Sequence, residues 1–414
     1  MTAPHVSIIG SALSGNKGAA AMLESSVEAI LAEFPDASFT LFSMYPAEDR
    51  RQNPFPQLEI IDARPRPLGT TINLLALLYR ILPPLRGLLR RTSRSIGALA
   101  RSSVLLDQMG ISFTDGREKF LLYNTAAILP AFHLKIPVVK CAQAIGPFTN
   151  PVTKRVSRWF LPRVHMIITR GRITHEYATA FGLTNLLAGA DSAFRLALSG
   201  DEDSALAARL DLSVFDSGAT VVGVSPSVVV QKKFEATGGD YLGLMAGLID
   251  ELTASGTRVV LIPHSVRTGT DKEQNNDLPM CRRLFAQLER PDGVLFVDEE
   301  FSSQELRRLI GRCDLFVTSR FHAMVSALSV ATPVLVMGWS HKYEEVLEMF
   351  GLAEWAMPYA AATGEGLRAR VSELENAAPQ IVRSIQESLP GVLEAAALQE
   401  QLISGLIKPE AAHR

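Results

Sequence analysis

A chain of 414 residues exceeds what one ordinary hydrophobic core accommodates, and 47% hydrophobic against 20% charged residues describes well-filled globular interiors. The formal net charge of -2 excludes a global basic excess, so a protein whose main work is gripping nucleic acid is not expected. Cys141, Cys281 and Cys313 are widely spaced and form no CxxC pair, so they suggest inert core thiols in a reducing cytosol, with neither a zinc site nor a disulfide framework.

The N-terminus, MTAPHVSIIGSALSGNKG, lacks a basic n-region and does not read as a signal peptide. Its apolar run at 6–10 predicts a strand that leads through the turn Gly15-Asn16-Lys17-Gly18 into a helix over 19–34. Glycines permit close backbone approach, and the N–H groups of a helix start attract anions. The turn therefore reads equally as a ligand loop or as a tight structural turn, with Asn16 the side chain to watch. Further strands are predicted at 38–44 and 58–62.

Between Asp62 and Asp107 there is no acidic residue, yet eight arginines occur (Arg64, Arg66, Arg80, Arg86, Arg90, Arg91, Arg94, Arg101), interleaved with leucines. Such a basic amphipathic surface suits either a helix of a globular domain or peripheral contact of segment 64–101 with an anionic membrane. Arg80, Pro83-Pro84 and Arg86 interrupt its apolar run, so no membrane span is expected, and the protein is expected to be cytoplasmic, with peripheral contact at the inner face of the membrane as the alternative.

Strands follow at 104–109, 137–145 and 166–170, with a helix over 173–182. The polar, acidic stretch 198–220 reads as a domain boundary, after which the rhythm restarts with strands at 220–227, 258–264, 294–298, 314–320 and 333–338. The fold expected is α/β: two Rossmann-like domains, residues 1–200 and 201–365, facing a cleft. A helical stretch at 366–414 is placed to cross back over them.

Ligands of open parallel sheets bind beyond the carboxyl ends of strands. That rule selects Gly15, Asn16 and Gly18, then Gln143 and Arg170 in the first half. In the second half it selects Ser225, His264, Arg320 with His322, and Lys342. Arg320 closes a strand and His322 opens the next helix. An arginine there can fork around a phosphate or carboxylate, and a histidine can exchange a proton near neutrality. The bland reading is a capping histidine beside an arginine in an ion pair. Arg170 adds a second strand-end cation, suited to a ligand with two anionic groups or to a salt bridge, while Arg172 reads as a surface residue. Gln143 and His264 could hydrogen-bond a sugar, and Lys342 could meet a phosphate. Asp115 and Asp191 suit helix capping.

The pieces GNKGAAAM, GISFTDGREKFLLYN, PVVKCAQAIGPF, IITRGRIT, GADSAFRL, VVLIPHSV with Asn276-Asp277, and TSRFHAMVSALSVATPVLVMGWSHKYEEVLEMFGL together resemble the polysaccharide pyruvyl transferase family through most of both halves. The chain departs from that family at Met109-Gly110-Ile111 and in the first glycine turn, both in the half assigned to the acceptor. The resemblance implies a GT-B-like pair of domains that uses phosphoenolpyruvate as co-substrate, with no cofactor and no metal for chemistry. It also implies that Arg170, Arg320 and the Phe321 backbone bind the donor, that His322 is the acid or base, and that the acceptor is a sugar of a polysaccharide repeat or glycolipid. Acceptor contacts are expected from Gly15, Asn16, Gly18, Gln143, His264 and Lys342. Two rival readings are a nucleotide-sugar glycosyltransferase, in which Glu344 or Glu345 would meet a ribose, and a non-catalytic glycan-binding relative. Oligomeric state is not legible.

Overall fold

The computed structural model describes residues 3–268 and 275–407. The chain divides into two compact units, one comprising residues up to Ser14, Met22–Arg195 and the segment from Leu393, the other Gly15–Ala21 and Leu196–Val392. The helices Lys17–Glu33 and Gly364–Ile407 each begin in the second unit and end in the first.

The first unit contains β1 (His5–Ile9) and, after β2 (Gly15–Asn16) of the second unit, β3 (Ser38–Ser43), β4 (Leu58–Asp62), β5 (Val104–Asp107), β6 (Ile111–Thr114), β7 (Val138–Gly146), β8 (Met166–Thr169) and β9 (Leu186–Ala188). They form a parallel sheet ordered β4-β3-β1-β5-β7-β8-β9, with β6 beside β7. Successive side chains of a strand point to opposite faces, and here both faces are covered. Val6, Ile8, Val104, Leu106 and Val139 pack with Leu23, Val27 and Ile30 of the Lys17–Glu33 helix and with Ile403 and Ile407 of the last helix. Ile9, Leu105 and Val138 pack on the other face with Ala127, Ile128 and Ala131 of the Leu121–Leu134 helix. The near-continuous apolar runs of the sequence follow from this two-sided burial.

The second unit contains β10 (Val221–Ser225), β11 (Arg258–Leu261), β12 (Ser265–Val266), β13 (Val294–Phe296), β14 (Leu315–Thr318), β15 (Val334–Gly338) and β16 (Ala356–Pro358). Its sheet is parallel in the order β13-β11-β10-β14-β15-β16, while β2 and β12 form a separate antiparallel pair. The helices Ser303–Ile310, Phe321–Ser329 and Lys342–Glu348 lead out of loops that follow β13, β14 and β15. The first of them starts with a capping box between Ser302 and Glu305, the sequence signature of a helix entry.

The division differs from the expected 1–200, 201–365 and 366–414 in two respects. Residues 15–21 pack with the second unit because β2 pairs with β12. The stretch after 365 is one helix shared by both units, with Pro379 and Pro390 inside it, and its residues 408–414 lie outside those described. Among the described residues no single helix is long and apolar enough to cross a membrane.

Candidate functional site

In the second unit, chemistry-bearing residues gather at the carboxyl ends of β10, β11, β14 and β15. Parallel pairing of β10 with β14 sets Ser225 beside Thr318, and Ser319 N donates to Ser225 O at 3.0 Å. Arg320 follows, in extended backbone, as the residue that caps the Phe321–Ser329 helix. Its amide donates to Thr318 Oγ1 at 2.9 Å. Tyr343 donates to Ser319 O at 3.1 Å, and the Tyr241 and Ser319 hydroxyls meet at 3.0 Å, so the backbone leading into Arg320 is held from two sides.

The guanidinium of Arg320 forms an ion pair with Asp277, which is wholly buried. Asp277 also accepts from Val228 N at 3.0 Å and from Ser265 N at 3.0 Å. One carboxylate thus ties together the loops after β10 and β11 and the start of the Phe321–Ser329 helix. Burial opposes the charge on Arg320, but Asp277 outweighs it and the guanidinium is held above its ordinary value. Arg320 Nε and Ser225 Oγ, at neighbouring strand ends, are buried without a hydrogen-bond partner. A buried donor left unmade is costly, so these two atoms mark a place where a polar or anionic ligand would be stabilised.

His322, the second residue of the helix, is half-buried and meets Phe321 edge-on at 5.0 Å between ring centroids. Its ring packs against Gly18, where an added Cβ would lie 1.9 Å from His322 Cγ. The first glycine turn therefore belongs to this site. Gly15 adopts φ +76° beside the Arg267 guanidinium, β2 pairs with β12, and Asn16 Oδ1 accepts from Gly18 N at 3.2 Å. Lys17 Nζ bonds Glu300 Oε1 at 2.7 Å, and Ser303 Oγ donates to Lys17 O at 3.0 Å. The expectation that Gly15, Asn16 and Gly18 serve from the first half is corrected by these contacts.

His264 is buried after β11, and its titration is pushed well below the ordinary value, first by burial and then by His322, Arg320, Lys17 and Arg307. Those neighbours make the strand ends electropositive and keep His264 neutral, able to accept or donate one hydrogen bond. Lys342 opens the helix after β15, with Nζ 4.9 Å from the Phe321 ring centroid, 4.8 Å from that of Trp339 and 5.0 Å from that of Tyr343. Three aromatic faces hold this ammonium in place.

In the first unit the expected residues sit differently. Arg170 is 1% exposed, with Nη1 3.1 Å from Asp191 Oδ2 and Nη2 donating to Gly110 O at 3.1 Å. Asp191 also accepts from Ala193 N at 3.0 Å, the turn-capping role its sequence suggested. Arg170 is thus a buried ion-pair partner, and an open fork for a ligand is not what its surroundings present. Gln143 is corrected too. It is wholly buried, accepting from Ser112 Oγ at 2.5 Å and donating to Asp107 Oδ1 at 3.0 Å. Asp107 pairs in turn with the buried Lys140. Both ends of the Gln143 amide are engaged within the sheet. Arg172 pairs with Glu176 on the exposed surface, as expected.

Against known proteins, the profile of the family described as polysaccharide pyruvyl transferase matches residues 16–341, from the glycine turn to the end of the loop after β15. The chain belongs to the polysaccharide pyruvyl transferase family. The amylovoran biosynthesis protein AmsJ of Erwinia amylovora is 23% identical over 266 residues, 63% of this chain and 64% of that protein, so the chain matches somewhat less than two-thirds of its relative.

Solved structures of other proteins share the fold of this pyruvyl transferase family member at low identity. A UDP-N-acetylglucosamine 2-epimerase from Listeria monocytogenes, itself described as putative, gives a TM-score of 0.63 at 11% identity, covering 100% of this chain and 99% of that one. A UDP-GlcNAc 2-epimerase from Neisseria meningitidis, bound to UDP-GlcNAc, gives 0.60 at 10% identity, covering 98% and 100%. Medicago truncatula UGT71G1, complexed with UDP-glucose, gives 0.55 at 10% identity, covering 98% of each chain. These likenesses establish a GT-B-like, two-domain α/β fold. Arg320, Phe321, His322, His264 and Asp277 all lie inside the family match, and Lys342 stands one residue past its end. Asp277 had no local signal for its role. It stands 43 residues before its arginine, and the strand order alone brings the two together.

Proposed function

We propose that this pyruvyl transferase uses phosphoenolpyruvate as donor and builds a pyruvate ketal on a sugar of a polysaccharide or glycolipid precursor. The observation that supports this most is the pairing of an anion-ready arginine, Arg320, with a proton-transferring histidine, His322, at one helix start among further cations. Arg320, preset by Asp277, binds the phosphate or carboxylate of the donor through its unsatisfied Nε, with the Phe321 amide beside it. Protonation of the donor CH2 carbon makes C2 electrophilic, and one sugar hydroxyl adds there. The C2–O bond to phosphate breaks, and phosphate leaves with the bonding pair. A second hydroxyl of the same sugar then closes the ketal. Of the two hydroxyl protons, one restores the group that protonated the methylene and the other leaves with phosphate. His322 is the group assigned to proton transfer. Neutral His264 and the aromatic-held Lys342 are assigned to the acceptor. Arg170, buried against Asp191 in the first unit, is given no role in this reading.

The test is thermal stabilisation of wild-type, Arg320→Ala and His322→Ala proteins by phosphoenolpyruvate. Donor at 100 times its dissociation constant adds about 2.7 kcal/mol to stability. Wild-type and His322→Ala should be stabilised and Arg320→Ala should not, while turnover of His322→Ala falls about 10²–10⁴-fold. Stabilisation of wild-type by UDP or GDP, with none from phosphoenolpyruvate, would overturn the donor assignment in favour of a nucleotide-sugar transferase.

A further inference from the structure

The region between β4 and β5 anchors itself through Leu68, Ile72, Ala98 and Leu99 in the first unit's core and through a small cluster of Ala76, Tyr79, Leu89 and Ile96, but its remaining side chains belong to neither a core nor the candidate site. The helical segments Pro65–Ile81 and Pro83–Thr92 meet at a bend of 119°, with Leu82 between them. The residues from Ile81 to Leu88 are all exposed, and Leu74 (56%), Leu77 (39%), Ile81 (57%), Leu82 (40%), Leu85 (37%) and Leu88 (58%) present large aliphatic side chains to solvent. Scattered exposed leucines are ordinary. Five leucines and one isoleucine exposed between positions 74 and 88 form an apolar ridge.

The charge around this ridge is of one sign. Arg64 pairs with Asp62, and Arg94 and Arg101 share the single carboxylate of Glu59. Arg66, Arg80, Arg86, Arg90 and Arg91 have no carboxylate partner among the described residues. Arg86 and Arg90 instead lie over the Tyr79 ring, at 5.4 and 5.5 Å from its centroid. Arg80, immediately before the exposed run, also lines a groove of about 640 Å³ together with His133, Lys135, Trp159, Arg163 and His165, and no acidic residue lines it. Trp159 is 48% exposed, and the Arg163 guanidinium lies 4.4 Å from its ring centroid. Burial and Arg80 together hold His133 below its ordinary value, as a cationic surround requires.

We propose that this ridge and groove are a docking surface for an anionic lipid bilayer, with the aliphatic side chains at the acyl boundary and the arginines and groove at the headgroups. An apolar ridge with unneutralised arginines beside it and a tryptophan alongside is the chemistry of an interfacial anchor. A second copy of the chain fits less well. In a two-fold interface the same patch meets itself, which would set unneutralised arginines against one another. The inference does not depend on the donor assignment, since it concerns a surface of the first unit alone.

The test is co-sedimentation of the full chain with vesicles of phosphatidylcholine alone and of phosphatidylcholine with about one-third phosphatidylglycerol. Binding to the anionic vesicles at low salt is expected, with little binding to the neutral ones and weakening as salt shortens the screening length to about 3 Å near 1 M. Arg66→Gln with Arg91→Gln should lower the partition coefficient about fivefold per arginine. The triple variant Ile81→Ser, Leu85→Ser, Leu88→Ser should lose binding while its thermal unfolding matches wild-type. Failure of wild-type to sediment with anionic vesicles at low salt would overturn the proposal, as would equal binding to neutral vesicles or undiminished binding by the triple variant. Self-association in sedimentation velocity that the triple variant abolishes, without vesicle binding, would assign the ridge to a second copy instead.

Discussion

Gly18 and His322 stand more than three hundred residues apart in sequence, yet the missing side chain of one is the space occupied by the ring of the other. A Cβ at position 18 would lie 2.2 Å from His322 Cβ as well as 1.9 Å from Cγ, so no rotation of the ring alone relieves the contact. The histidine or the first turn of the Lys17–Glu33 helix has to move. Overpacking of this kind costs about 1–3 kcal/mol, which a two-unit protein tolerates. Misplacement of a proton-transferring side chain is felt more in rate than in stability. On the proposed function, Gly18→Ala is therefore expected to fold, to keep phosphoenolpyruvate binding within a few-fold, and to lose about 10²–10⁴-fold in turnover, the loss expected of His322→Ala. Steady-state kinetics beside a donor titration checks it. A Gly18→Ala enzyme with normal turnover would mean that His322 is not the proton-transferring group, or does not react from this position.

At the scale of elements, long parallel strands buried on both faces were legible because their apolar runs are continuous. The expected strand at 58–62 coincides with β4, and that at 333–338 contains β15. Strands β2, β6, β9, β12 and β16 were not read, since none stands in a continuous apolar run of its own. The strand-end rule located Arg320 and His322 correctly at a helix start, but it could not tell that Gln143 is consumed by Asp107 and Ser112, or Arg170 by Asp191. Polar residues at strand ends serve ligands and structure alike, and only the partners decide. The largest difference, the transfer of Gly15–Ala21 to the second unit, comes from a pairing of two-residue strands 250 residues apart. Asp277 shows what such non-local contacts carry. It joins the amides of Val228 and Ser265 and the guanidinium of Arg320, so Asp277→Ala strands a buried cation and releases two loop amides. A loss of about 3–5 kcal/mol is expected in urea unfolding. Asp277→Asn, which keeps one acceptor oxygen, should lose less stability while still weakening donor binding. Equal stability of wild-type and Asp277→Ala would show that the clamp contributes nothing.

For the molecule as a whole, pH acts on both units through buried histidines. His5 in β1 contacts Ser38 Oγ at 2.7 Å and Thr40 Oγ1 at 3.1 Å, and burial first, then Arg101, pushes its titration down to about 4. His264 in the second unit is shifted in the same direction. A histidine held neutral in the native state binds fewer protons than in the unfolded chain, whose histidines titrate near 6.5. Stability from such a group is fully present above pH 6.5. It falls as the pH drops below that value and is lost for His5 once the pH has passed through about 4. Lowered carboxyl titrations of Asp62, Asp115 and Asp203 add further loss in acid, whereas Glu28 and Glu400, raised by burial, act in the opposite sense. Subtracting the unfolding curve of a His5→Gln variant from that of wild-type isolates the histidine. The difference between the two midpoints should be steady above pH 7, shrink between about 6.5 and 4, and level off below. A difference that stays constant across the whole range would mean that His5 titrates in the folded protein as it does in the unfolded chain, with the hydroxyls of Ser38 and Thr40 offsetting burial and Arg101.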